Sequence, residues 1–364
     1  MRIFHRLFLV IYLLLQCIWI GNVECDANSP RFGHATVLIN NTLYIYGGRI
    51  INPSIAPNPT AGLTQNDDIN ELIMLDMNKP FNSSEPPFQV ITPSNAPNIS
   101  FHGMSTGGSN NQLMVVWGGE TINSTTSNSL FYFDTTSGQM NLQDSSNTPS
   151  ARIGHSMVTW INSSTIYIFG GYGGSSDMLL GGPSSLSSQI NNDLYRLDTS
   201  NSTVNFITEP PLNTQGNTQG RVQHSATILS DGKIYIIGGL ILSSDGSSSL
   251  ALASMSDIEI FDTLIGSWSK LTATNSPPDR RLHGAVGTSS NKIIIFGGAS
   301  LNLTKYNDIA VLDTSNDALS WTIPTTNGTP PPARYSHSFI LAGDNAIVAY
   351  GMFFFLHSLL NSCL

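Results

Sequence analysis

Six histidines, His34, His102, His155, His224, His283 and His337, recur along the chain at intervals of 53 to 69 residues. Imidazole is the commonest transition-metal ligand, and six rings drawn toward one axis could hold a metal. The regularity argues for a different role. A residue that recurs once per structural unit answers a constraint that every unit shares, here the fixing of one strand against its neighbour. Asp313-x-Ser315-x-Asp317 opens like a calcium loop, but it has no glycine at its sixth position and Pro324 at its twelfth. Gly170-Gly171-Tyr172-Gly173-Gly174 follows a strand as a phosphate cradle would, yet no helix follows to point an N-terminus at an anion. No Gly-x-Ser-x-Gly elbow and no His-Glu-x-x-His segment occurs. The expectation is a chain with no catalytic residue, no cofactor and no metal site.

The elements around the histidines are copies of one unit. Each histidine opens an apolar stretch, such as Ala35 to Ile39 or Ser225 to Leu229. A β-branched and aromatic run follows, such as Leu43 to Tyr46 or Ile293 to Phe296, and ends in glycine. The glycine pairs are Gly47-Gly48, Gly118-Gly119, Gly170-Gly171, Gly238-Gly239 and Gly297-Gly298, while a sixth copy reaches Gly351 and breaks pattern at Met352. A third strand is bracketed by acids in Asp193 to Asp198, Asp257 to Asp262 and Asp308 to Asp313, with Glu71 to Asp76 and Ser129 to Asp134 at the same spacing. Trp268 and Trp321, with Phe88, Met140 and Phe206 as stand-ins, mark a fourth strand. Four short strands per unit, with no amphipathic helical stretch between copies, fit a blade whose edges are shielded when the blades close into a ring.

Arg31-x-x-His34, Arg152-x-x-His155, Arg221-x-x-His224, Arg280-x-x-His283 and Arg334-x-x-His337, each leading to the glycines, resemble kelch repeats over about residues 30 to 351. The resemblance implies an all-β, kelch-type β-propeller of about six blades, occupying residues 26–351, with the last blade incomplete. Two departures stand out. Ile99 occupies the arginine position of unit two, so the buried arginine contact that the resemblance implies is missing there and a looser blade is expected. Unit six stops after its second strand, so the ring is expected to be open and residues 352–364 to be an atypical tail, a truncated or misassigned end. The resemblance also extends to copper radical oxidases, which need a cysteine joined to a ligating tyrosine. Here no cysteine lies between Cys25 and Cys363, which excludes that chemistry.

Residues 1–25 hold Arg2 and Arg6, an apolar core from Leu7 to Ile20, and small residues suited to cleavage after Cys25. A secretory signal peptide is expected, with an uncleaved signal anchor as the alternative, although the core falls short of the ~20 residues needed to span. No other membrane span is expected. The apolar stretch from Ala346 resembles part of a lipid-anchor signal, but a strand already claims its first half. Asn40, Asn82, Asn98, Asn123, Asn162, Asn201, Asn302 and Asn327 each begin a glycosylation sequon, and none falls inside a strand, where a glycan could not sit. Cys17 and Cys25 would leave with the leader, so only Cys363 remains and no intrachain disulfide is possible. A mature chain of about 340 residues can bury enough apolar surface without one. The net charge of −9 becomes −10 once Arg2, Arg6 and Glu24 are removed, and no basic cluster exists for nucleic acid.

Loops on a rigid scaffold are the usual carriers of recognition. Three long loops, at residues 49–66, 172–192 and 240–256, lack sequons, whereas Asn98, Asn123, Asn302 and Asn327 lie on either side. A glycan-free arc over blades three and four is therefore the expected contact surface. The expected function is a secreted or cell-surface scaffold that recognises a protein or a glycan. The alternative is a propeller hydrolase, lyase or epimerase with its site at the channel mouth.

Overall fold

A computed structural model describes residues 19–22 and 31–352, apart from residues 51–66, 84, 122–124, 161–162, 177–189, 201–203, 210–218 and 245–248. Its main sheets are blades of consecutive antiparallel strands. Blade one is Ala35–Ile39, Thr42–Tyr46, Leu72–Asp76 and Gln89–Ile91, and blade two is Gly103–Gly107, Leu113–Trp117, Leu130–Asp134 and Gln139–Gln143. Blade three is Ser156–Thr159, Thr165–Phe169, Leu194–Asp198 and Val204–Thr208. Blade four is Ser225–Ile228, Lys233–Ile237, Asp257–Asp262 and Ser267–Thr272. Blade five is Gly284–Gly287, Lys292–Phe296, Ile309–Asp313 and Ser320–Thr322, and blade six contributes Ser338–Ala342 and Asn345–Ala349. Phe88 directly precedes the fourth strand of blade one, and Met140, Phe206, Trp268 and Trp321 fall within the fourth strands of blades two to five.

Burial explains the strand sequences. The second strand of each blade is sandwiched between neighbouring blades, so both of its faces are dry and it reads as a continuous apolar run rather than an alternation. Ile293, Ile294, Ile295 and Phe296 are all buried in this way. The acid that closes each third strand has a local task. The side-chain oxygens of Asp76, Asp134, Asp198, Asp262 and Asp313 each accept the backbone N–H two residues on, at 2.8–3.0 Å, which folds the turn into the fourth strand. These bonds hold the carboxyls of Asp76, Asp134 and Asp198 below their ordinary range.

The ring is closed at its centre, contrary to the expectation from the short sixth unit. The first strands of the six blades abut in a complete cycle, and the first strand of blade six packs against that of blade one. His34 Nε2 lies 2.6 Å from Ser338 Oγ across this last seam, and the Gly351 N–H donates to Arg31 O at 3.0 Å. Met352 does not leave the pattern either: it bridges Tyr335 just as Leu240 bridges Val222 and Tyr172 bridges Ile153. Among the described residues, blade six falls short of the others only toward its rim. There Asn345–Ala349 is flanked by Trp19–Asn22, which runs parallel to it from Trp19 opposite Asn345 to Asn22 opposite Val348. Those four residues belong to the segment 1–25 read as a leader. The remainder of that segment and the tail 353–364 lie outside the described residues.

Candidate functional site at the channel mouth

The arginines of the repeat are struts within blades. Arg280 Nη1 donates to Gly297 O at 3.0 Å, and its guanidinium grips both carboxylate oxygens of Asp308 at 2.7 and 2.8 Å. Arg152 repeats the arrangement with Gly170 O and Asp193, and Arg31 reaches Gly47 O and Glu71. Arg221 donates to Gly238 O and Asp257 O and pairs with Glu259 at 3.2 Å. Arg334 donates to Tyr350 O at 2.9 Å. Ile99 replaces this device in blade two by packing, and with 1 % exposure it sits in a cluster with Tyr46, Met104 and Met114.

The histidines seal the seams between blades. Trp117, the last residue of the second strand of blade two, meets His155 of blade three edge-on, at 4.8 Å between ring centres. Tyr46 and His102, Phe169 and His224, Phe296 and His337, and Tyr350 and His34 repeat that contact. The approach is close enough to require the glycine that follows, since a Cβ on Gly118 would lie 2.6 Å from His155 Cε1. Tyr350 occupies the corresponding place in blade six with φ of 57°, a left-handed conformation that the other five blades give to glycine. Burial, reinforced by the neighbouring arginines, depresses the imidazoles; His224, His283 and His337 are brought down to about 3, and His102 reaches about 3 through burial alone. Among the described residues no group of three or more His, Cys, Asp or Glu is placed to hold a metal ion.

The residue directly before each histidine builds an inner ring. The N–H of Phe101 donates to Gly33 O, Gly154 to Phe101 O, Gln223 to Gly154 O, Leu282 to Gln223 O, and Ser336 to Leu282 O, at 2.6–3.1 Å. The sixth joint runs from Gly33 N–H to Ser336 Oγ at 3.0 Å. All six residues have positive φ, including the non-glycines Phe101, Gln223, Leu282 and Ser336. Above them lies a layer formed by the residue after each arginine position and the residue after each glycine pair. It is apolar in blades three, four and six, where Ile153, Tyr172, Val222, Leu240, Tyr335 and Met352 join one cluster with Phe32 and Phe101.

The mouth has two different halves. Over blades one to three, buried Arg49 donates from Nε to Asp68 Oδ1 at 2.7 Å, from Nη1 to Ser176 Oγ at 2.9 Å, and from Nη2 to Glu120 Oε1. Ser176 in turn donates from its N–H to Glu120 Oε2 at 2.6 Å. Burial opposes the guanidinium charge, but the adjoining Glu120 and Asp68 outweigh it and raise Arg49 above its ordinary value. With most of its donors and acceptors matched, the cluster ties three loops together, and burial raises the Asp68 carboxyl above its ordinary range despite the Arg49 guanidinium beside it. Over blades four and five the surface is leucine-rich. Leu242, Leu250, Leu252, Leu282 and Leu303 are half-buried against the central cluster, and Leu301 is 42 % exposed. Leu242 and Leu250 face each other on a hairpin of Leu240–Leu242 with Leu250–Leu252. Buried Arg281, lowered to about 10 by desolvation, donates to Gln223 Oε1 and Leu301 O beneath this surface.

The repeat residues thus come together as framework, and the mouth is made by residues that repeat reasoning passes over. Arg49 and Glu120 each follow a glycine pair, but Asp68 and Ser176 hold no such repeat position, and nothing in the period foretells that the four meet. The inner-ring residues did have a signal, since each stands immediately before a repeat histidine. Asn40, Asn82, Asn98, Asn302 and Asn327 are exposed, whereas Asn123, Asn162 and Asn201 lie outside the described residues, as do the tips of the three long loops.

A closed ring of blades, the first five of them four-stranded, with arginine struts and histidine seams defines a kelch-type β-propeller. The KLHDC2/KLHL20/DRC7 Kelch-repeats domain matches residues 101–352, and the chain belongs to this kelch-repeat family. It is 27 % identical to Kelch domain-containing protein 3 of Bos taurus over 342 residues, covering 90 % of this chain and 79 % of that protein. Shorter similarities include Rab9 effector protein with kelch motifs of Mus musculus, 29 % identical over 23 % of this chain and 23 % of that protein. Host cell factor of Drosophila melanogaster is 32 % identical over 36 % of this chain and 9 % of that protein.

Proposed function

We propose that the protein is an exported, glycosylated recognition scaffold that binds a protein partner through the leucine-rich half of the channel mouth. The observation that carries this reading is the set of half-buried leucines over blades four and five, resting on a rigid central cluster. A contiguous apolar surface that the fold does not finish burying marks an interaction site, and aliphatic side chains suit a polypeptide better than a polar sugar. Relatives named for a protein partner, such as the Rab9 effector, point the same way. The leader-like segment and the exposed sequons support export. Unlike the arc expected over blades three and four, the leucine surface extends into blade five, where exposed Asn302 stands between Leu301 and Leu303.

A photo-crosslinking side chain at position 250 or 282, compared with one at Thr136 on the opposite face, tests the reading. Discrete protein adducts are expected only at the mouth, lost with Leu242→Asp and strengthened by Asn302→Gln if a glycan shields the surface. Adducts of equal yield from both faces, or adducts indifferent to Leu242→Asp in a protein that melts normally, would remove the reading.

A further inference from the structure

We infer that the face turned away from the mouth carries an apolar docking strip at the seam of blades three and four, made by Trp160, Leu264 and Ile265, and that its occupant is a basic amphipathic segment of another polypeptide. The hairpins that join third to fourth strands stand on this face, each opened by the acid that closes the third strand. In blade two that acid is followed by Thr135 and then by the pair Thr136-Ser137, and Gly138 completes the turn. Asp134 Oδ1 accepts the Thr136 N–H at 2.8 Å, the Gly138 N–H donates to Asp134 O at 2.8 Å, and Gly138 has φ of 70°. Blade four makes the same turn around Leu264-Ile265. Asp262 Oδ1 accepts the Leu264 N–H at 2.9 Å, the Gly266 N–H donates to Asp262 O at 2.9 Å, and Gly266 has φ of 65°. The turn therefore does not need aliphatic side chains. In the other four-stranded blades the corresponding pairs are also polar, Asn78-Lys79, Ser200-Asn201 and Ser315-Asn316.

Leu264 and Ile265 are 70 % and 73 % exposed, the highest values for large apolar side chains among the described residues. They do not stand alone. Trp160, half-buried directly after the first strand of blade three, reaches across the seam: a Cβ on Gly232 would lie 2.4 Å from its ring and 3.1 Å from Leu264 Cγ. Gly232 thus lets the side chains from two blades run together as one strip. A contiguous apolar surface left uncovered marks an interaction site, and the surrounding charge names the occupant. The hairpins of blades three to five bring Asp198, Asp231, Asp262, Asp313 and Asp317 to this face against Lys233 and Lys292. Lys292 is already held by Asp313 at 2.5 Å. Such a rim repels anionic lipid and a second copy of the same face, and it attracts lysine and arginine. A segment that sets aliphatic side chains on the strip and basic ones over the aspartates matches both features.

The test is calorimetric titration of the full chain with a synthetic amphipathic helix of leucine and lysine, beside its leucine–glutamate counterpart. The deciding variant is Leu264→Thr with Ile265→Ser, which gives blade four the pair that blade two already folds with. Only the lysine peptide is expected to bind, more weakly at raised salt. In the double variant its affinity is expected to fall by about tenfold or more, with an unchanged thermal melt. Asn162 begins a sequon two residues from Trp160, so the titrations are repeated on Asn162→Gln, and the expected pattern in either form supports the strip. Leu242→Asp controls for the leucine-lined mouth. Binding lost in that variant but kept in the double variant would overturn the strip and leave the mouth reading standing. No binding in any form, equal affinity for both peptides, flotation with phosphatidylcholine vesicles, or self-association that the double variant abolishes would also overturn it.

Discussion

The amide of Gly33 donates to the hydroxyl of Ser336 at 3.0 Å across 303 residues of sequence. Five backbone-to-backbone bonds make up the rest of the ring around the channel, so this side-chain bond is the inner ring's own clasp, beside the His34–Ser338 and Gly351–Arg31 contacts across the same seam. Ser336→Ala leaves a partly buried N–H without its acceptor, at a cost of about 1–3 kcal/mol. The expected result is a lower denaturant midpoint and faster exchange of the Gly33 amide, with the amides of Gln223 and Leu282 unaffected. Equal protection at Gly33 in both proteins would show that the clasp is dispensable.

Tyr350 sets two effects against each other. Its left-handed backbone costs roughly 1–2 kcal/mol relative to glycine, but its buried ring meets His34 and stacks on Phe88, with Arg31 lying over it. Removing a buried aromatic side chain costs about 3–5 kcal/mol, so packing wins. Tyr350→Gly should destabilise by about 1–4 kcal/mol, measured by urea unfolding. A more stable variant would mean that strain governs the seam.

Ile99 and Arg280 occupy equivalent positions, yet restoring the repeat is not a repair. Arg280 has Asp308 and Gly297 O, whereas blade two begins its third strand after Ser129, and Ile99 is enclosed by apolar side chains. Ile99→Arg would bury a charge with no carboxylate to meet it and should cost upward of about 3 kcal/mol, similar to Arg280→Met. Thermal melts of the two variants are expected to show comparable losses. A neutral Ile99→Arg would refute the packing account.

Acid should unfold the protein through its histidines. In the unfolded chain they titrate near 6.5, whereas in the fold His102, His224, His283 and His337 titrate at about 3, with burial as the leading cause, and His34 and His155 are also depressed. Below 6.5 the unfolded state therefore binds more protons, so this stability is complete above 6.5 and is lost as pH falls toward 3. Each proton contributes a slope of about 1.4 kcal/mol per pH unit. The midpoint in urea is expected to fall steeply between pH 6 and 4, and His102→Gln should flatten the curve. A midpoint constant over that range would contradict buried neutral imidazoles.

How much of this was legible beforehand depended on whether a residue works within its own blade or between blades. Asp313 and its equivalents, the arginine struts and the apolar second strands each answer a constraint met inside one unit, so copying made them visible as spacing. Glu120 shows the opposite case: its role comes from Arg49 and Ser176, which arrive from different blades, and although Arg49 shares its place after a glycine pair, no interval foretells that these side chains meet.

The chain's own order of residues therefore determined a ring of kelch blades, because period, burial pattern and turn chemistry are local and repeated. Only the tertiary structure decided that the ring closes through Ser336, that Met352 belongs to it, and that the mouth is ionic on one side and leucine-lined on the other. Those features arise where side chains of different blades converge on one axis, and which of them meet in space leaves no period in the sequence.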